Sequence, residues 1–259
     1  MASFLETAIE IAREAGALVS NMAERGIPFE LKGEFDLVTA ADKASEALIV
    51  ERLQTYFPSH TIVGEEGGQR DRQGEYCWYV DPVDGTTNFA HGHPFWCVSI
   101  GLVDRGVPVA GAVVAPALAV EWVGSVGDAA RRNGEPCTVS VADSLEDALL
   151  ATGFPYDRRT SPDDNLDAFV AMKKRARGVR RCGSAALDLC LVADGSYDGY
   201  WEQKLAPWDL CAGAGIVRAA GGTLTDYDGG PVAVRPGRVI ATNGVIHDEL
   251  MREVQAARR

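Results

Sequence analysis

The chain has 259 residues, of which 46% are hydrophobic and 24% are charged, a profile typical of a globular protein with a sizeable buried core. Its 25 basic and 37 acidic residues give a net charge of −12, which disfavours binding to nucleic acids or anionic membranes. No apolar run reaches the roughly 18 residues needed to cross a bilayer, and no signal-peptide pattern is visible, so we expect a cytoplasmic protein.

The N-terminal third predicts two helices and then strands. Ser3 and Glu6 have capping-box spacing ahead of an amphipathic helix that Gly26 and Pro28 end. A second helix is predicted at 40–56. Short strands are predicted at 61–63 and 77–80.

The centre of the chain changes to the two-residue period of strands. Strands are predicted at 95–103, 107–115 and 119–123. The sequence Arg132-Asn133-Gly134-Glu135 is a hairpin signal, so this segment predicts antiparallel pairing.

The C-terminal part alternates strands with helices. Strands are predicted at 149–152, 200–202, 223–225 and 239–241. Helices are predicted at 164–174, 184–193, 207–220 and 247–257. The polar segment 156–164 predicts an exposed loop.

One stretch, Asp81-Pro82-Val83-Asp84-Gly85-Thr86-Thr87-Asn88-Phe89, directly follows the strand predicted at 77–80. Two carboxylates three residues apart repel each other unless a cation holds them. Hard oxygen ligands suit Mg²⁺, which readily shares its coordination sphere with a phosphate. The alternative is an ordinary turn, since Asp, Gly, Thr and Asn all favour turns.

This nonapeptide resembles the metal-binding motif of the inositol monophosphatase family. Other matching segments follow the family's order: Lys32, 36–42, 64–66, 183–186, 200–202 and 208–215. The last of these, with Trp208-Asp209 and Ala212-Gly213, resembles the family's second signature. The resemblance covers the chain from about Lys32 to Asn243.

The resemblance implies a mixed α and β fold with α-β-α-β-α layers, a large antiparallel sheet and a smaller second sheet. It implies one compact phosphatase unit over 1–259, with approximate lobes at 1–140 and 141–259, and a homodimer. The implied activity is Mg²⁺-dependent, lithium-sensitive hydrolysis of inositol 1-phosphate or a similar small sugar or polyol monophosphate.

The resemblance also implies residue roles, with two or three Mg²⁺ ions per site. The implied ligands are Glu65, Asp81 and the Val83 carbonyl for the first ion, Asp81, Asp84 and Asp209 for the second, and Glu65 for a third. The implied catalytic residues are Glu65 and Thr86, which orient and deprotonate the attacking water, and Asp84. The implied substrate contacts are the N–H groups of Gly85 and Thr86 for the phosphate, and Glu202 with the backbone of Gly183, Ser184 and Ala185 for the alcohol. Lys32 and Asp42 are implied to order the third-metal region.

Simpler interpretations of single residues stay open. Asp209 is also an acid favoured in the first turn of a helix. Glu202 is also a carboxylate at a strand end, and Lys32 is also a surface cation. His91 and His93 lack the spacing of zinc ligands, and the six scattered cysteines predict reduced thiols. We expect Trp78, Trp96, Trp122 and Trp208 to lie in the core.

Two rival functions also stay open. One is a sister phosphatase acting on fructose 1,6-bisphosphate, histidinol phosphate or an adenosine bisphosphate. The other is a non-catalytic regulatory protein on the same fold. Such a protein should have lost ligands, yet every carboxylate of the motif is present.

Overall fold

A computed structural model describes residues 4–24, 29–31, 37–67, 69–70, 74–232 and 237–258. The helices of this part are α1 (Phe4–Glu24), α2 (Ala40–Tyr56), α3 (Thr86–Ala90), α4 (Leu166–Arg175), α5 (Ala185–Ala193), α6 (Pro207–Ala219) and α7 (His247–Ala257). A 3-10 turn spans Pro116–Leu118. None of these helices is long and apolar enough to cross a membrane.

The strands form two main sheets and one small ribbon. The ribbon pairs β1 (Phe29–Leu31) with β2 (Leu37–Thr39). The large sheet contains β3 (Thr61–Gly64), β4 (Gln69–Arg70), β5 (Tyr76–Asp84), β6 (Cys97–Asp104), β7 (Val107–Ala115), β8 (Val120–Ser125), β9 (Arg131–Arg132) and β10 (Glu135–Pro136). The second sheet contains β11 (Leu149–Thr152), β12 (Gly178–Arg180), β13 (Gly199–Leu205), β14 (Thr223–Thr225) and β15 (Gly237–Thr242).

The large sheet has the strand order β10-β9-β8-β7-β6-β5-β3-β4, and the second sheet has the order β12-β11-β13-β15-β14. In the large sheet only the β3–β5 pair is parallel. In the second sheet β11 runs parallel to β12 and β13, whereas β15 is antiparallel to β13 and β14. The predicted combination of a large, mainly antiparallel sheet with a smaller second sheet is confirmed.

Three apolar cores show the layers. Trp78 of the large sheet packs with α1 and α2 on one outer side. Helices α5 and α6 fill the space between the two sheets, together with Trp122 and Tyr200. Trp201 packs with α4 and α7 on the other outer side. Because successive residues of a strand face opposite sides, Tyr200 and Trp201 serve different cores. The α-β-α-β-α order is therefore confirmed.

A pair of glycines lets α6 lie close to the large sheet. Gly101 on β6 and Gly111 on β7 are direct partners across the strand pair. A Cβ at either position would collide with the α6 backbone at Ala212. This close approach fixes the start of α6, and hence Asp209, against the motif strand β5.

Most locally encoded elements match their predictions. The helix at 40–56 and the helix at 247–257 have the predicted bounds, as does the strand at 149–152. Asn133 and Gly134 both have positive φ between the paired strands β9 and β10, which confirms the hairpin. Ser3, Gly26 and Pro28, the predicted limits of the first helix, lie outside the described residues.

Several features differ from the sequence prediction, and the short strands β1, β2 and β4 are among them. Strand β5 does not end at Val80 but continues through Asp84, with a register shift against β6 between Asp81 and Asp84. Strand β12, at Gly178–Arg180, was not predicted, because a three-residue strand gives no periodic signal. Helix α3, at Thr86–Ala90, is a single short turn inside the motif.

Candidate active site

Parallel strand pairing brings the first two acidic groups together. In the β3–β5 pair Gly64 lies opposite Val80, so Glu65 and Asp81 follow at the same edge of the sheet. The N–H of Glu65 donates to the Val80 carbonyl at 3.2 Å, which holds the chain after β3 against β5. Two segments 16 positions apart in sequence thus supply neighbouring carboxylates.

The irregular end of β5 turns the motif into α3. The N–H of Val83 donates to Asp81 Oδ1 at 3.0 Å, closing a turn around Pro82. Gly85 then has a φ of 95°, a left-handed conformation that favours glycine, and caps α3. A Cβ there would lie 3.0 Å from the Phe95 carbonyl oxygen. The first N–H groups of α3 have no acceptor within the helix.

Asp84 is fixed by the start of α5, a hundred residues away in sequence. The hydroxyl of Ser184 donates to Asp84 Oδ2 at 2.6 Å, and the N–H of Ala186 donates to the same oxygen at 2.7 Å. Ser184 is also the N-cap of α5 and accepts from Leu187 N. The Ser184 hydroxyl is therefore engaged within the protein, and a ligand at 183–185 would meet the backbone.

Asp209 reaches the same place from α6. It is the third residue of that helix, and its Oδ2 accepts a hydrogen bond of 2.8 Å from the N–H of Ala206. Within the described residues, the second oxygens of Asp81 and Asp209 accept no hydrogen bond. Asp81 and Asp209 therefore each have one fixed oxygen and one that remains available to a ligand.

These acids lie in a cleft of about 600 Å³ between the two sheets. The cleft brings together the predicted site residues Glu65, Asp81, Val83, Asp84, Gly85, Thr86, Gly183, Ser184, Ala185, Glu202 and Asp209. Arg158, Arg181 and Lys204 also line it. An anionic substrate would therefore meet positive as well as negative groups in this cleft.

Glu202 lies on β13 with its carboxylate surrounded by protein. The Tyr200 hydroxyl donates a short hydrogen bond to Glu202 Oε2. Gly153 faces the same carboxylate, and a Cβ at that position would collide with both of its oxygens. Burial raises the pKa of Glu202 to about 7, against the opposing effects of the Tyr200 hydrogen bond and the Arg181 charge.

A set of side chains behind the cleft holds the motif in place. The Thr86 hydroxyl lies 3.1 Å from Asp42 Oδ1 and 3.0 Å from the Val83 carbonyl oxygen, and donates its single proton to one of them. Asp42 does not line the cleft but contacts Thr86 directly, whereas Lys32 lies outside the described residues.

Sequence reasoning missed two further supporting residues. Glu46 is buried on α2, one helical turn after Asp42, and its Oε2 accepts from the N–H of Glu66 at 2.7 Å. Asn88 donates from Nδ2 to the carbonyls of Phe95 and Cys182 at 2.7 and 2.8 Å, which ties α3 to the loop before α5. The spacing of Asp42 and Glu46 on one helix face was an available signal; the partners of Asn88 were not.

The acidic groups in the cleft repel one another. Burial raises the pKa of Asp81 well above its usual value, and the charges of Glu65, Asp84 and Asp209 raise it further. The pKa of Asp209 is raised well above normal for the same reasons, burial first. Burial also raises the pKa of Asp84, although hydrogen bonds from Ser184 and Ala186 oppose the shift. A cation among these groups would remove the repulsion.

The donor set fits a hard cation. Carboxylate and carbonyl oxygens are the ligands that Mg²⁺ and similar ions take in proteins. Among the described residues, no three His, Cys, Asp or Glu side chains already converge as ligands of one ion. The site therefore offers a cation oxygen ligands that come from separate segments of the chain.

These shifts predict how pH affects stability. An acid whose pKa is higher in the folded protein than in the unfolded chain stabilises the fold less as pH rises through that window. For Glu202 the window runs from 4.5 to about 7. We expect the metal-free protein to melt at a lower temperature at pH 8 than at pH 6, as measured by differential scanning calorimetry in a chelator.

The matched variant Glu202→Gln should flatten this pH dependence, because it removes one of the titrating groups. Added Mg²⁺ should raise the melting temperature more at pH 8 than at pH 6, because ligands bind in their ionised form. If the metal-free protein melts no lower at pH 8 than at pH 6, the raised pKa values of these acids are contradicted.

The tryptophan and histidine predictions have mixed outcomes. Trp78, Trp96 and Trp122 are buried, as predicted. Trp208 is not a core residue: it is only half-buried and lines the cleft next to Asp209, because the first turn of α6 opens onto the cleft. His91 and His93 are exposed and do not line the cleft.

The fold and the cleft together define a class of protein. A layered α/β unit whose strand and helix ends gather carboxylates around one cleft has the architecture of a metal-dependent phosphatase. Comparison with known proteins specifies the family.

A family model described as "Inositol monophosphatase family" matches residues 1–259. An inositol-1-monophosphatase of Synechocystis sp. is 43% identical over 256 residues, covering 98% of this chain and 89% of that protein. The protein named Nus factor SuhB from Pseudomonas aeruginosa is 40% identical, covering 98% of this chain and 97% of its own. The solved structure of an inositol monophosphatase from Anabaena (Nostoc) sp. PCC 7120 is 45% identical with a TM-score of 0.90, covering 98% of this chain and 95% of that one.

The chain belongs to the inositol monophosphatase family. It is a phosphatase, and thus a hydrolase. Members of this family depend on metal ions and act on phosphorylated sugars or polyols.

Proposed function

We propose that this protein hydrolyses inositol 1-phosphate, or a similar small sugar or polyol monophosphate, to the alcohol and inorganic phosphate in a Mg²⁺-dependent reaction. The observation that supports this proposal is the arrangement of the cleft. Glu65, Asp81, Asp84 and Asp209 line it together with Glu202, a partly buried acid that accepts a hydrogen bond from Tyr200. A phosphate ester would place its phosphate next to these four acids and its alcohol next to Glu202.

We assign two or three Mg²⁺ ions to the carboxylates of Glu65, Asp81, Asp84 and Asp209. Glu65, Asp81 and the Val83 carbonyl would hold one ion, Asp81, Asp84 and Asp209 a second, and Glu65 would reach a third. When bound, such ions neutralise phosphate charge and lower the pKa of water. The alternative of an ordinary turn would not require Asp81 and Asp84 to be buried, yet they are only 2% and 8% exposed.

The protein itself orients the phosphate group of the substrate. Phosphoryl transfer has a loose, in-line transition state, so positioning is the main task of the protein. The N–H groups of Gly85 and Thr86 are proposed to bind phosphate oxygens. Helix α3 has five residues, so these N–H groups act individually rather than through a long helix dipole.

Thr86 and Glu65 are proposed to bind and deprotonate the attacking water. The contacts of Thr86 with Asp42 and the Val83 carbonyl fix the hydroxyl and leave its oxygen able to accept from water. Asp42 is therefore proposed to position Thr86. Glu65 would act as a general base, which requires its carboxylate to lie within hydrogen-bonding distance of the water.

The alcohol side is proposed to rest on Glu202 and on the backbone of Gly183, Ser184 and Ala185. A carboxylate oxygen of Glu202 accepts from Tyr200, and the remaining capacity suits a ring hydroxyl. Asn88 holds the 183–185 segment in place through the Cys182 carbonyl.

A panel of phosphate esters, assayed for phosphate release with and without Mg²⁺, tests the proposal. It should include inositol 1-phosphate, fructose 1,6-bisphosphate, histidinol phosphate and adenosine 3′,5′-bisphosphate. Metal-dependent turnover that is highest on inositol 1-phosphate supports the proposal. A higher kcat/KM on one of the other three esters would instead assign a sister activity.

A second candidate is a regulatory role, because the 40% identical Pseudomonas aeruginosa relative is named a Nus factor rather than a phosphatase. The retained carboxylates favour catalysis. Absence of turnover on the whole panel, in a protein shown to bind Mg²⁺, would favour the regulatory candidate.

We also propose a cytoplasmic homodimer, on the strength of the family resemblance. Sedimentation equilibrium tests the dimer directly. A monomer at micromolar concentration would contradict it.

Lithium inhibition is the next prediction. An oxygen-only site that exchanges its ion on every turnover can admit a small monovalent competitor. We expect millimolar Li⁺ to lower the steady-state rate near the optimal Mg²⁺ concentration, with equal Na⁺ as the control. Full activity at high millimolar Li⁺ would contradict this expectation.

A further inference from the structure

Asp188 is a buried acid that none of the assigned roles uses. It lies on α5 and is 1% exposed. Within the described residues its side chain accepts no hydrogen bond, and its Oδ1 is fully buried without a partner. Buried polar groups are nearly always paired, so an unpaired carboxyl requires an explanation.

The position of Asp188 suggests what its partner is. It follows Ser184 by four residues and Ala185 by three, so all three lie on one face of the helix start. That face borders the cleft, and Asp188 itself lines it together with Glu202. The missing partner is therefore expected in the cleft.

The charges around Asp188 favour a neutral ligand over a cation. The acids Glu202 and Asp84 raise the pKa of Asp188 after burial, and the Arg181 guanidinium opposes the shift. Arg181 also lines the cleft and lies 5.9 Å from the Phe154 ring centre, but forms no ion pair with Asp188 among the described residues. A neutral hydroxyl can approach Asp188 and Arg181 alike, whereas the positive charge of Arg181 would repel a metal ion.

We propose that Asp188 is a substrate-binding residue that hydrogen-bonds a ring hydroxyl adjacent to the one held by Glu202. The inference rests on the proposed function, because it requires a polyol in the cleft. A carboxyl group can donate and accept at once, as a hydroxyl can, so two neighbouring acids suit a vicinal diol. Asp188 would thus select polyols with adjacent hydroxyls over simple phosphate esters.

The test compares Asp188→Asn and Asp188→Ala with wild type on inositol 1-phosphate and on p-nitrophenyl phosphate, which has no ring hydroxyl. We expect kcat/KM for inositol 1-phosphate to fall by about 10-fold or more, mainly through KM, since a hydrogen bond to a charged or polar partner is worth that factor. On p-nitrophenyl phosphate the variants should stay within about 3-fold of wild type, the range expected when no contact is lost.

Deoxy analogues of inositol 1-phosphate identify the contact. On the analogue that lacks the hydroxyl bound by Asp188, wild type and Asp188→Ala should have equal kcat/KM, because the interaction is absent from both. On a different analogue, the one that lacks the hydroxyl bound by Glu202, wild type and Glu202→Ala should have equal kcat/KM. Equal sensitivity of the Asp188 variants to every analogue would overturn the proposal.

Asp194→Asn is the matched control. Asp194 ends the same helix with a side chain that is 2% exposed, but its carboxylate accepts from Trp122 Nε1 at 2.9 Å and does not line the cleft. This control should melt at a lower temperature, because Asn loses the ion pair of Asp194 with Arg132 at 3.5 Å, and should keep wild-type substrate preference. Asp188→Asn should not melt lower than wild type, because it removes an unpaired buried acid.

The outcomes separate the two claims. A wild-type protein that hydrolyses no polyol phosphate would refute the proposed function. A wild-type protein that does so, with Asp188 variants that keep full activity, lose activity equally on both substrates or all fail to fold, would refute the role of Asp188 alone.

Discussion

Replacing Asp84 or Asp209 with Asn is expected to remove nearly all phosphatase activity from a protein that still folds. Each side chain uses one oxygen to accept a hydrogen bond from the protein, from Ser184 and Ala186 or from Ala206. An Asn carbonyl can accept the same bonds. The charge facing the cleft is lost, however, and even the loss of a residue that only supports a metal ligand typically costs 10–100-fold. We therefore expect a fall in kcat/KM of more than about 100-fold.

Phosphate release at titrated Mg²⁺ measures the effect, and circular dichroism checks the fold. Asp198→Asn is the matched control, because Asp198 accepts from Leu149 N at 2.6 Å, much as Asp209 accepts from Ala206, but lies outside the cleft. It should retain activity close to wild type. Activity of either site variant within 10-fold of wild type would disprove the ligand assignment.

The sequence predicted features whose causes are local. The helix at Ala40–Tyr56 has a Thr39 cap whose hydroxyl accepts from Ala41 N, and this pattern lies within four residues. The Asn133-Gly134 turn needs two residues that tolerate positive φ, and the sequence supplies them. Such short-range signals do not depend on the rest of the fold.

The approximate lobes at 1–140 and 141–259 stay a prediction. The large sheet spans Thr61–Gly64 to Glu135–Pro136, and the second sheet begins at Leu149–Thr152. Helices α5 and α6 pack between the sheets, so the C-terminal segment contributes to both sides of the cleft.

Long-range contacts could not be predicted from spacing. The bonds from Ser184 and Ala186 to Asp84 join residues about a hundred positions apart, and they exist because α5 and α6 are packed between the sheets. Trp208 looked like a core residue by type, yet its place in the first turn of α6 exposes one side to the cleft. Composition cannot distinguish these cases, because the packing of the layers decides them.

Some residues of the candidate site could be identified from the sequence, and others only from the structure. The motif 81–89 and Asp209 were identified through resemblance, and the structure places them in one cleft. Asp188 carries no sequence signal of its own, and only its burial without a partner draws attention to it. Glu46 has the spacing to Asp42 as a weak signal, and its bond to Glu66 N shows its role. Residues that support a site are found by following hydrogen bonds outward from it.

Glu202→Ala is expected to damage turnover of inositol 1-phosphate far more than that of p-nitrophenyl phosphate. A hydrogen bond to a charged group contributes about 1.5–3 kcal/mol, and 1.4 kcal/mol is a factor of ten. The selective loss in kcat/KM should therefore be about 10–100-fold. Glu202 lies outside the proposed metal ligands, so the Mg²⁺ concentration at half-maximal rate should not change.

A second variant moves the carboxylate without removing it. Gly153→Ala places a methyl group against both Glu202 oxygens, so the side chain must leave its position beside Tyr200. We expect the same substrate-selective loss, which a role of Glu202 in charge balance alone would not produce. An equal loss on both substrates in both variants would mean that Glu202 supports the fold or the metal ligands. No loss on either substrate would leave Glu202 without a role in binding and would make the other sugar phosphates the substrates to test first.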